Sequence, residues 1–147
     1  MNDHVKCFKL SLLNLMRIID KASTMPPFKS DQLYKQLHEK CVIFISLCSG
    51  NTLTDSNYLN IAYRVRSIVM EYDIDKLVEK KDVESLCVFD PFKSKGELST
   101  FYNTMKITAD DYAAIKHLMR NMNPQLQEYA WKYMNNIVKS VIDLGEG

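Results

Sequence analysis

Hydrophobic residues recur at helical spacing along almost the whole chain, and the last stretch is the clearest. Leu126, Ala130, Tyr133, Met134, Ile137, Val138, Val141 and Leu144 fall on one side at about 100° per residue. Glu128, Lys132, Asn135, Lys139 and Asp143 fall on the other. Asn123 is a good N-cap, and Pro124 suits the first helical position, where its missing N–H is no loss. Gly145 follows the last apolar residue, where a left-handed C-terminal cap is expected. The apolar arc is broad, with Trp131 and Ile142 at its edge, which suits a helix wedged against two others.

The same pattern predicts a first helix over 3–22. Val5, Phe8, Leu12, Leu15, Met16 and Ile19 form its core face, and Lys6, Asn14, Arg17 and Lys21 its wet face, into which Leu10 and Leu13 project. Pro26-Pro27 breaks the chain before a second helix over 31–49. The first half of that helix is amphipathic; the second, Cys41 to Cys48, is apolar nearly all round and reads as a buried helix. A third helix over 54–72 carries a core stripe of Tyr58, Ile61, Ala62, Val65, Ile68, Val69 and Tyr72. Two short helices, 74–81 and 82–89, divide near Asp82, and Asp90-Pro91 ends them. A short helix over 97–105 follows. Thr108 and Asp111 have capping-box spacing ahead of a helix over 109–122, whose core residues are Tyr112, Ile115, Leu118, Met119 and Met122. Helix 124–144 closes the chain. Seven or eight helices with short connections and no internal repeat make one all-α bundle.

Composition narrows the function without naming it. A chain of 147 residues suits one domain with a core of its own. The net charge of +1 supplies no bulk attraction to nucleic acid or to an anionic membrane. Cys7, Cys41, Cys48 and Cys87 have no C-x-x-C spacing. With no signal peptide evident, they read as free thiols in a reducing, intracellular compartment. Lys6 and Lys9 interrupt the early apolar run, so no membrane span is expected. Ile, Lys and Asn are abundant, while Ala and Arg, good helix formers with GC-rich codons, number only six and four; this bias is expected of an AT-rich gene, as in many large DNA viruses, some intracellular bacteria and several protists.

Catalytic signatures are absent: the four glycines leave no phosphate-cradling loop, and no metalloprotease or nucleophile-elbow motif occurs. His38 and Cys41, three apart on one helix, are the nearest thing to a reactive pair. Cys41 lies in phase with Leu37 and Phe44, however, where a core cysteine belongs. His4 and His117 read as ordinary surface residues, and Lys80-Lys81 as a solvated helix end. Arg64 and Arg66 beside Tyr63 could meet phosphate, but two arginines make no basic stripe. No cofactor or metal is expected.

Two surfaces remain. Leu59, Tyr63, Arg66 and Met70 recur at i, i+4, i+7 and i+11, a second apolar face on the third helix that would line one wall of a helix-binding groove. Leu10 and Leu13, a turn apart on a charged face, suggest self-association. The expected function is therefore a non-enzymatic interaction module that docks a protein partner, in its specific form a virus- or pathogen-encoded inhibitor or adaptor. The alternative is a self-associating subunit of a viral nucleoprotein or virion complex. Size and helix number resemble those of the Bcl-2-like modulators of poxviruses. The tryptophan–glycine motif of that family is missing, since Trp131 precedes Lys132, and a likeness of fold alone carries no function.

Overall fold

The computed structural model describes residues 2–26, 28–50, 53–86 and 108–145, and the statements below concern these. The chain is an all-α bundle of seven described helices: α1 (Asp3–Ser23), α2 (Gln32–Ser49), α3 (Asp55–Tyr72), α4 (Ile74–Glu79), α5 (Val83–Leu86), α6 (Ala109–Asn121) and α7 (Pro124–Asp143). The expected helix over 97–105 lies outside the described residues.

Local chemistry sets the helix starts. Asn2, Asp31 and Asn123 each accept a hydrogen bond from a first-turn N–H of the following helix. Thr54–Asn57 and Thr108–Asp111 form reciprocal capping boxes. At the far end of α7, Gly145 takes the left-handed conformation, φ 75°.

Helix α1 is the spine. It packs most extensively against α7 and next against α2, and it also meets α3 and α6. Its buried residues run from Ser11 through Phe8 to Leu13, so that face is wider than one neighbour could cover. Leu13 is only 7% exposed, which corrects its expected place on the wet face. It precedes by two turns Asp20, which bonds His38 on α2, so Leu13 lies on the side that α2 covers.

Two further expectations fail in the opposite direction. Val42 and Ile43 are 44% and 40% exposed, so the all-apolar half of α2 is open to solvent on its outer side. Tyr72, expected in the core stripe of α3, is 49% exposed, and Val65 and Ile68 are only half-buried. In α6 the fully buried positions are Asp111, Ala114, Leu118 and Met119, while Tyr112 and Ile115 are half-buried.

Asp73 joins α3 to α4 alone, as the C-cap of one and the N-cap of the other, with φ 52° and ψ 43°. Asp is among the few residues that adopt this left-handed region readily. Helix α4 packs in turn on α7, which ties the end of α3 to the centre of the bundle.

Candidate binding surfaces

The His38–Cys41 neighbourhood lies at the junction of α1, α2 and α6. His38 Nδ1 pairs with Asp20 on α1, and Lys40 pairs with the buried Asp111 on α6. The same Asp111 Oδ2 accepts the Thr108 N–H at 2.9 Å, so one carboxylate caps α6 and anchors it to α2. Its other oxygen is buried without a hydrogen-bond partner. Cys41 is fully buried, and its thiol is pushed up to about 12 by burial first, then by Asp20 and Asp111. A thiol held protonated in this way does not form a thiolate–imidazole pair with His38. Among the described residues no three metal-binding side chains converge, and Cys7, Cys41 and Cys48 are free thiols. His117 is more than an ordinary surface residue: its Nδ1 pairs with the Tyr34 hydroxyl, and its ring meets the edge of Phe28 at 5.7 Å.

The flank of α3 is thinly covered. Its buried residues are Tyr58, Ile61, Ala62 and Val69 alone. Leu59, Tyr63 and Arg66 are half-buried, and Met70 is 53% exposed, so all four keep some contact with solvent. The four share one side, about 100° around the helix from the buried stripe. Arg66 joins none of the ion pairs found among the described residues, and its Nε is buried with no acceptor. A buried donor left unpaired costs about 1–3 kcal/mol. The other expected pair is split: Leu10 is 49% exposed, but Leu13 belongs to the core. The two leucines share no open face.

A third surface went unrecognised in the sequence. A cleft of about 330 Å3 opens where α5, α6 and α7 meet, lined by Lys81, Asp82, Val83, Glu84, Met119, Arg120, Gln127 and Trp131. Val83 and Met119 are buried, while the Trp131 indole is half-buried. Glu84 pairs with Arg120 and, at 3.3 Å, with Lys116. Those two cations hold its carboxyl below the usual range, the Arg120 hydrogen bond acting most strongly. Asp82 accepts the Ser85 backbone N–H at 3.3 Å, which caps α5, and the Ser85 hydroxyl at 2.8 Å.

The chain matches no protein-family model, no curated protein and no solved structure. No helix among the described residues is long and apolar enough to cross a membrane.

Proposed function

We propose that this protein is a non-enzymatic interaction module that docks an amphipathic helix of a partner protein along the flank of α3. Leu59, Tyr63 and Met70 supply the apolar contact, and Arg66 receives a carboxylate from the partner. The observation that carries the reading is Arg66 itself, a half-buried arginine that joins no ion pair found among the described residues and stands inside a half-exposed apolar stripe. Tyr, Met and Arg are the residue types enriched at protein interfaces, and a desolvated arginine opposite a carboxylate is a characteristic anchor. A role as a pathogen-encoded inhibitor or adaptor in the host cytoplasm is the specific form that the amino-acid bias favours.

Affinity capture from the native cell, partner identification and binding of the purified pair test this. Tyr63→Ala and Arg66→Ala should each weaken binding at least tenfold while the circular dichroism spectrum stays unchanged. Arg66→Glu should be rescued by a lysine in place of the partner's carboxylate. Unchanged binding by both alanine variants overturns the proposal. So does salt-sensitive oligonucleotide binding that depends on Arg64 and Arg66, which would instead favour a nucleoprotein subunit.

A further inference from the structure

We draw no further inference here: the strongest candidate, the apolar patch that Val42 and Ile43 leave open on the outer side of α2, carries nothing because nothing in the structure shows what covers it.

Discussion

Helices α1 and α3 carry a similar density of apolar residues, yet the bundle covers them very differently. α1 meets neighbours on several sides and buries even Leu13, which stands among lysines and an arginine on a helical wheel. α3 buries four residues and leaves Met70 and Tyr72 about half exposed. Periodicity states which residues can be buried together. How many neighbours a helix acquires is decided by the rest of the chain, and here that number separates a structural spine from a helix with a half-exposed flank.

The comparison breaks most readily at the spine. Phe8→Ala, at 1% exposure, should destabilise by about 3–5 kcal/mol in urea denaturation, and Leu13→Ala by about 2–5 kcal/mol. A Leu13→Ala effect no larger than that of a surface substitution would show that α2 does not seal that side. Next comes the α2–α6 anchor. Asp111→Ala removes the acceptor for Lys40 and half of the capping box, and should cost about 2–3 kcal/mol, less than a fully dry pair because Lys40 stays 20% exposed.

A third effect depends on pH. Cys41 has a folded-state value of about 12 against an ordinary 9.0, so the unfolded chain releases this proton first. Stability should therefore be unaffected by this group below about pH 9, then fall by up to about 1.4 kcal/mol per unit as pH rises towards about 12. Cys41→Ala should remove that share of the alkaline slope, and an unchanged slope would place the titration elsewhere. The smallest effect belongs to α3: Met70→Ala should change stability by less than about 0.5 kcal/mol. A larger loss would mean that the flank is sealed rather than open.

What the sequence discloses follows the range of the interaction. Asn123 with Pro124, the Thr108–Asp111 box, the Asp82 cap and Gly145 are chemistry between near neighbours, and all are readable before any fold is known. Val42 and Ile43 were not readable as exposed, because an all-apolar run carries no record of which side lacks a neighbour. The Lys40–Asp111 pair spans 71 residues and leaves no local trace. On the α3 flank the spacing of Leu59, Tyr63, Arg66 and Met70 was legible, but the unpaired Nε of Arg66 was not.

The single-residue joint at Asp73 bears on how that flank can be used. A loop of several residues would let α3 swing and present its flank at many angles. With one backbone unit between α3 and α4, and α4 seated on α7, rotation of α3 about its axis is geared to the core. One extra residue inserted after Asp73 would lengthen this joint and loosen that gearing. A thinly covered helix is thus also clocked to the bundle, and its flank keeps a fixed bearing.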